Sequence, residues 1–338
     1  MKSADYKVTY WNVLADFKNG RFSKAVSAIL AFFGLYRLEE FFHSNLAHKR
    51  AYGRWPNLIR PQRFRDHLLR IKLSPDGHAA LRMRITDKEL VKEYIRDKVG
   101  DGYTARTYAV LHNDSEIRGY TFPDDCAIKA THDSGSIIIR RSGNPIELKR
   151  IENWLKRDYY WLLREPNYRH LKPKVIVEEL LSGKSDDLVD YKIFCFHGVP
   201  AFIQVDATRF THHARAMYSP GWKKLNFRIN HFEWLESSHP APPGLAEMLS
   251  IARILSKDFS FLRVDFFQLD NQIIVGELTN FPAGTMNQFH PDQADFLAGS
   301  LFRNPHADVE SLFGLAPSEY AHPADPLKHF DIPNTRHD

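Results

Sequence analysis

Residues 263–280 read RVDFFQLDNQIIVGELTN, two apolar runs of strand length on either side of a short polar stretch. Apolar runs of this length next to a polar turn predict a hairpin over 261–268 and 272–278. Asp265 stands near the start of the first run and Glu277 near the end of the second, so closing the hairpin brings two carboxylates together on one sheet. Acids in otherwise apolar strands are costly unless something pairs with them. Magnesium takes oxygen ligands at about 2.0–2.1 Å, commonly one or two carboxylates plus substrate phosphates, and such a pair suits it. A hairpin whose acids serve only solubility is the plainer alternative.

Working outward, DYKIFCF opens a strand at Asp190 that turns at His197-Gly198 into a second over 200–205. The period of two puts Asp190 and Lys192 on one face. Residues 174–181, KVIVEELL, form a buried strand ending in Glu178 and Glu179, followed by Leu180 and Leu181. Such an end can read adenine, a carboxylate accepting from the amino group beside backbone at the ring edge, or it is an exposed strand terminus. Lys129 closes the strand 126–129 just before THDSGS, and 137–141 is strand-like again. Small residues let backbone N–H groups approach phosphate oxygens, whereas Lys129 alone is equally a strand-edge lysine. Lys88 opens a helix over 87–97, for which Thr86 and Glu89 make a capping box. A helix is predicted over 148–163 with Ile151, Trp154, Leu155 and Tyr159 on one face, short helices over 41–73, and a further helix over 244–257. Strands and helices do not alternate regularly, which predicts a mixed α+β fold.

With 338 residues and 43% hydrophobic content, the chain can bury more than one folding unit. The two cysteines, Cys126 and Cys195, sit in apolar runs and cannot build a disulfide framework or a four-cysteine metal site, which points to a reducing cytoplasm. A net charge of +5 favours anionic partners. Residues 1–20 lack the apolar centre of a secretory signal, and AVSAILAFFGLY at 25–36 falls short of the roughly 20 residues a membrane span needs. That segment reads as a buried helix or, with Lys18, Arg21, Lys24 and Arg37 around it, as a surface anchor over 18–37 for an anionic membrane. The basic stretch PQRFRDHLLRIKL resembles an amphipathic helix and not an aromatic-interleaved stripe, so nucleic acid is not the expected partner. The tail from Ala316, rich in proline, has little periodicity.

In chain order, DK, IKATHDSGS, VIVEELL, DYKIFCFHGVPAFIQVD, RVDFF and GELTNFPAG resemble the TupA-like ATP-grasp family from about Asn57 to about Phe302. The resemblance implies two α+β lobes holding ATP between a mobile central lid and a C-terminal lobe. It divides the chain into a helical region 1–86, a lid part 87–177, a C-terminal lobe 178–305 and a tail 306–338. Carried over, Lys88 and Lys129 contact phosphates, His132, Ser134, Gly135 and Ser136 belong to the lid loop, and Glu178, Glu179, Leu180 and Leu181 hold adenine. Asp190 and Lys192 complete the nucleotide side, with Lys192 a further positive contact, and Asp265 and Glu277 bind Mg2+. Many ATP-grasp enzymes place asparagine two residues after the metal glutamate; here that position is Thr279, and asparagine is Asn280, which a bulge before Pro282 could bring round.

The implied chemistry is an ATP-dependent carboxylate–amine ligase working through an acyl phosphate, with an amino acid and the uronic acid of a cell-surface polysaccharide as reactants. Lys192 and Arg263 are its candidate catalytic groups, although Arg263 is equally placed to bridge Asp265. Arg209, His213 and Arg215 in RFTHHARAMY are candidates for binding the acceptor substrate, since arginine forks match carboxylates; a basic surface loop is the alternative. A polysaccharide glycosyltransferase is a second reading, against which stands the lack of a compact DxD motif. A non-catalytic basic anion-binding protein is a third, and it leaves the strand acids unexplained.

Overall fold

Apolar periodicity sets most of the elements in the computed structural model, which describes residues 29–30, 33–181, 188–207, 214–230, 233–234, 238–270 and 272–314. The chain opens with α1 (Tyr36–Tyr52), α2 (Phe64–Leu73), α3 (Ala80–Thr86) and α4 (Leu90–Val99). Next come β1 (Thr107–Leu111), α5 (Asp114–Gly119), β2 (Cys126–Ala130), β3 (Ile137–Arg140), α6 (Leu148–Trp154), α7 (Tyr160–Leu163) and β4 (Val175–Glu179). The second half holds β5 (Asp190–Phe196), β6 (Val199–Ala207), β7 (Ala214–Tyr218), β8 (Lys224–Leu225), β9 (Arg228–Ile229) and β10 (Glu233–Trp234). It continues with α8 (Leu245–Ser256), β11 (Phe261–Leu269), β12 (Gln272–Thr279), β13 (Phe289–His290), α9 (Gln293–Ser300) and α10 (Val309–Leu312).

Two sheets carry the architecture. A small antiparallel sheet has the order β1-β4-β2-β3, and a seven-stranded one has the order β10-β7-β6-β5-β11-β12 with β8 beside β7. The large sheet is apolar throughout on one face, where Ile193, Cys195, Ile203, Val264 and Phe266 meet Met248, Ile251, Ala252 and Leu255 of α8 and Val91, Tyr94 and Ile95 of α4. Those α8 positions follow the i, i+3, i+4, i+7 spacing that gives a helix one apolar stripe. The other face is divided. At one end Phe194, Phe196, Phe202 and Phe261 pack with Phe64 of α2 and with α9; the other end is polar, carrying Asp190, Lys192, Gln204, Asp206 and Asp265.

The hairpins at 126–140, 190–207 and 261–279 form as the pattern predicts, and His197-Gly198 is a two-residue turn with both residues at positive φ, 49° and 79°. Two helices differ from expectation. The helix expected over 87–97 begins at Leu90, and its cap is Asp87, whose Oδ1 accepts from the N–H groups of Glu89 and Leu90 at 2.9 and 3.2 Å. Thr86 instead donates its hydroxyl back to the Arg82 carbonyl at 2.7 Å, as the last residue of α3. The helix expected over 148–163 is two, α6 and α7, because the Trp154 carbonyl accepts from Arg157 in a tight turn and also contacts the His132 ring at 3.1 Å. Residues 25–28 and 31–32 of the apolar segment 25–36, half of it, and the tail from Ala316 lie outside the described residues.

Candidate active site

On the polar half of the large sheet, register alone aligns the chemistry. Lys192 on β5 stands opposite Asp265 on β11, and Asp265 stands opposite Glu277 on β12. That alignment depends on a bulge: Asp265 pairs with Glu277 but Phe266 pairs with Val275, leaving Gly276 as the extra residue. A Cβ at position 276 would lie 2.6 Å from the Phe267 ring, so the position requires glycine.

Arg263 grips Asp265 with two bonds, Nε to Oδ1 and an Nη to Oδ2, both 2.6 Å, and donates to the Thr279 hydroxyl at 2.9 Å. Thr279 in turn donates to Glu277 Oε1 at 3.0 Å, and Glu277 is exposed. Burial works against the Arg263 charge, but Asp265 more than offsets it and raises the pKa, so the guanidinium stays charged. On the other side Lys192 pairs with Asp190 and lies 3.6 Å from both Asp206 and Asp265. Asp206 is held by Arg215 through bonds of 2.6 and 3.2 Å and accepts from Gln204 at 3.0 Å. The result is a ladder of alternating charge from Arg215 to Glu277.

The small sheet carries a second charged group. Lys129 Nζ donates to Glu178 Oε2 at 2.7 Å, and Lys92 pairs with the other oxygen. Burial would raise the Glu178 pKa, but Lys129 and Lys92 hold it below the usual carboxylate value. Glu179 Oε1 accepts from the Arg106 N–H at 2.7 Å, and Leu180 and Leu181 follow half-buried at the end of β4. In the 132–136 loop, Ser134 and Gly135 are exposed and Gly135 has a φ of +90°. His132 is buried against the Trp154 carbonyl, and Ser136 pairs with Asp133 and accepts from Arg157 at 2.9 Å.

Lys88 joins the two halves. Its Nζ donates to the Ala130 carbonyl at 2.8 Å and to the Asp133 carbonyl, while its N–H donates to Thr131. Burial lowers its pKa, and the charges acting on it next are Asp133, Glu277, Lys129 and Glu178, which belong to both sheets. Lys88 is thus within electrostatic reach of Lys129 and Glu178 of the small sheet and of Glu277 of the large one, and Glu277 is linked through Thr279 and Arg263 to Asp265, which Lys192 approaches to 3.6 Å. Asn280 goes elsewhere, into a buried cluster with Arg82 and Thr86. Arg215 is committed to Asp206 and the Ile229 carbonyl, and Arg209 and His213 lie outside the described residues. Sequence reasoning missed Lys92, four residues after Lys88 and in the first turn of α4, and Asp133, inside the loop already singled out.

Among the described residues, Asp265 and Glu277 stand opposite each other in register and offer the hard oxygen donors that magnesium prefers, and Glu277 is exposed. Arg263 occupies both Asp265 oxygens, so an ion there would share or displace one of those contacts. The residues fit a divalent ion bound mainly through Glu277 and phosphate oxygens.

The model of the TupA-like ATPgrasp family matches residues 68–303, a span that takes in both sheets and all of this site. The chain belongs to that family. Its two sheets belong to an ATP-grasp fold. Comparison with curated proteins gives no match. Among solved structures, the family member is similar to phosphoribosylamine–glycine ligase of Thermotoga maritima, with 14% identity and a TM-score of 0.38 over 62% of this chain and 52% of that one. It is similar also to D-alanine–D-alanine ligase of Bacillus anthracis, with 17% identity and a TM-score of 0.34 over 58% and 57%. For an L-amino acid ligase of Bacillus licheniformis the values are 11% identity and 0.41 over 85% and 59%. The chain thus spans between about half and three-fifths of the length of these structures.

Proposed function

We propose that the protein is an ATP-dependent carboxylate–amine ligase that forms an amide through an acyl phosphate. The observation that supports this is the charged row of Lys192, Arg263, Asp265 and Glu277 along the large sheet, with Lys88 in electrostatic reach of Glu277, Lys129 and Glu178. Phosphoryl transfer needs little covalent help from a protein; positioning and charge stabilisation suffice, and these charged groups are of the kind that supply both. Lys88 and Lys129 hold the phosphates, and Glu178 with Glu179 to Leu181 lies where the adenine edge would be read. Magnesium at Glu277 and Asp265, with Thr279 on the same side, would neutralise phosphoryl oxygens as charge develops. The donor carboxylate attacks the γ-phosphorus and ADP leaves. Arg263 and Lys192 stabilise the acyl phosphate, the amine attacks its carbonyl carbon, and the C–O bond breaks to release phosphate.

For substrates, we propose a uronic acid of a surface polysaccharide as donor and an amino acid as acceptor, a choice supported by the net charge of +5 and by the family resemblance. We further propose that 87–177 moves as a lid against 178–305 in a cytoplasmic enzyme. In the same reading 18–37 rests on an anionic membrane surface, continuing into the exposed Phe33, Leu35, Leu38, Phe41 and Phe42. No helix among the described residues is long and apolar enough to cross a membrane. The test is incubation with ATP, magnesium, amino acids and uronic-acid oligosaccharides. Release of ADP with a new amide mass supports the proposal. Sugar transfer from a nucleotide sugar without ADP release overturns it, and vesicle co-sedimentation checks the surface contact.

A further inference from the structure

Lys92 has no part in the reaction above, but it shares a carboxylate with a lysine that does. It lies in the first turn of α4, and its Nζ donates to the Ala105 carbonyl at 2.7 Å and to the Thr107 hydroxyl at 2.8 Å, and pairs with Glu178 Oε1 on β4. The other oxygen, Glu178 Oε2, accepts from Lys129 Nζ on β2 at 2.7 Å. The Glu178 side chain is 5% exposed, against 18% for Lys92 and 28% for Lys129, so the carboxylate is the closed centre of the group and Lys129 its most open member. Among the described residues Glu178 is the one partner of Lys129 Nζ, whereas Lys92 is anchored at two further points. One lysine is tied in place on three sides; the other hangs on a single ion pair.

That asymmetry bears on nucleotide binding, because a phosphate oxygen that takes Lys129 must compete with the carboxylate already there. Breaking a buried ion pair leaves a charge that is costly without a partner. Lys92 lowers that cost, since Glu178 keeps one ammonium when the other turns away. We propose that Lys92 is a positioning residue for phosphate binding: by holding Glu178 it releases Lys129 to the phosphates of the nucleotide. The Glu178 carboxylate, with both oxygens engaged by lysines, then serves the phosphate side of the site and leaves the reading of adenine to residues 179–181. This inference rests on the ligase reading for the role of Lys129 and adds the residue that makes Lys129 available.

The test is calorimetric titration of the full chain with Mg-ATP and, separately, with magnesium tripolyphosphate, which offers phosphates without a base. Lys92→Met is expected to weaken both ligands by about tenfold in Kd, the scale of one charge-assisted hydrogen bond, while Lys92→Arg stays near wild type. Should Lys92→Met not fold, Lys92→Gln, which keeps an N–H donor for the Ala105 carbonyl, carries the same expectation. Glu178→Gln, which leaves no charge to hold Lys129, should bind both ligands at least as tightly as wild type. In that background Lys92→Met should change either Kd by no more than about twofold, as for residues that no longer interact. An equal loss from Lys92→Met in the wild-type and Glu178→Gln backgrounds overturns the inference, because Lys92 would then act by its own charge or through the fold alone. So does a Glu178→Gln protein that loses Mg-ATP but keeps tripolyphosphate, because the carboxylate would then read the base; in both cases the ligase reading stands. Wild-type protein that binds neither ligand removes the nucleotide site and the inference with it.

Discussion

Thr279 and Asn280 are neighbours in the chain, yet they belong to two networks of different kind. Asn280 is 2% exposed; its Oδ1 accepts from Arg82 at 2.9 Å, and its Nδ2 donates to the Arg82 carbonyl at 3.2 Å and to Thr86 at 3.0 Å. Arg82 is closed from the other side by Asp76 through bonds of 3.0 and 2.8 Å. That cluster is satisfied and ties α3 to the end of the large sheet. Thr279 sits in the chain from Arg263 to the exposed Glu277, and Asp133 Oδ1 in the 132–136 loop has no partner. A closed network fixes a fold, whereas an open one keeps groups free for a ligand. Alternation along a strand end is enough to separate the two.

The comparison can be broken by mutation. The largest stability effect is expected from Arg82→Ala, which strips a buried partner from Asn280 and should cost about 3–5 kcal/mol in urea unfolding. An equal loss from Glu277→Gln would erase the distinction. Glu277→Gln is instead expected to leave folding nearly unchanged and to lower turnover by about 10²–10³-fold, measured as ADP release.

Asn280→Ala should cost about 1–3 kcal/mol in the same unfolding assay, because donors and an acceptor are left buried without partners. Thr279→Val, one residue earlier, should stay within about 0.5 kcal/mol of wild-type stability. Its activity should nevertheless fall by about tenfold, the usual scale for one hydrogen bond to a charged group.

The hairpin at 263–280 was legible because its acids interrupt apolar strands, and that pattern is local. The register was not, because it depends on Gly276 bulging to clear the Phe267 ring. Nor was the break between α6 and α7, which involves a contact from His132 to the Trp154 carbonyl. Lys92 and Glu165 look like ordinary surface charges in sequence; only the fold shows Lys92 on Glu178 and Glu165 against Gly284. Residues that act through partners far along the chain leave no signal in their own neighbourhood. Asp87 was a nearer miss, since it stands beside Thr86 and is as good a cap.

The smallest effect concerns the aromatic end of the divided face, where His67 stacks on Phe302 with ring centroids 4.3 Å apart. Burial, followed by Arg70 and Arg303, lowers its pKa from 6.5 to about 4. With the folded pKa below the unfolded one, the unfolded chain binds the proton first, so stability falls as pH drops from 6.5 toward 4. Glu165, pushed up by burial to about 7, acts oppositely, gaining stability as pH falls from 7 toward 4.5. His67→Gln should therefore flatten the acid side of a Tm–pH curve, and Glu165→Gln should steepen it.

The most direct measurement is calorimetric titration of Mg-ATP into wild-type protein, Lys129→Ala and Glu277→Gln. These residues come from different sheets and are expected to meet one triphosphate. Saturable binding by wild type, weakened at least tenfold in both variants and weakened in wild type when magnesium is withheld, is the predicted result. Binding that neither substitution alters would contradict a shared site.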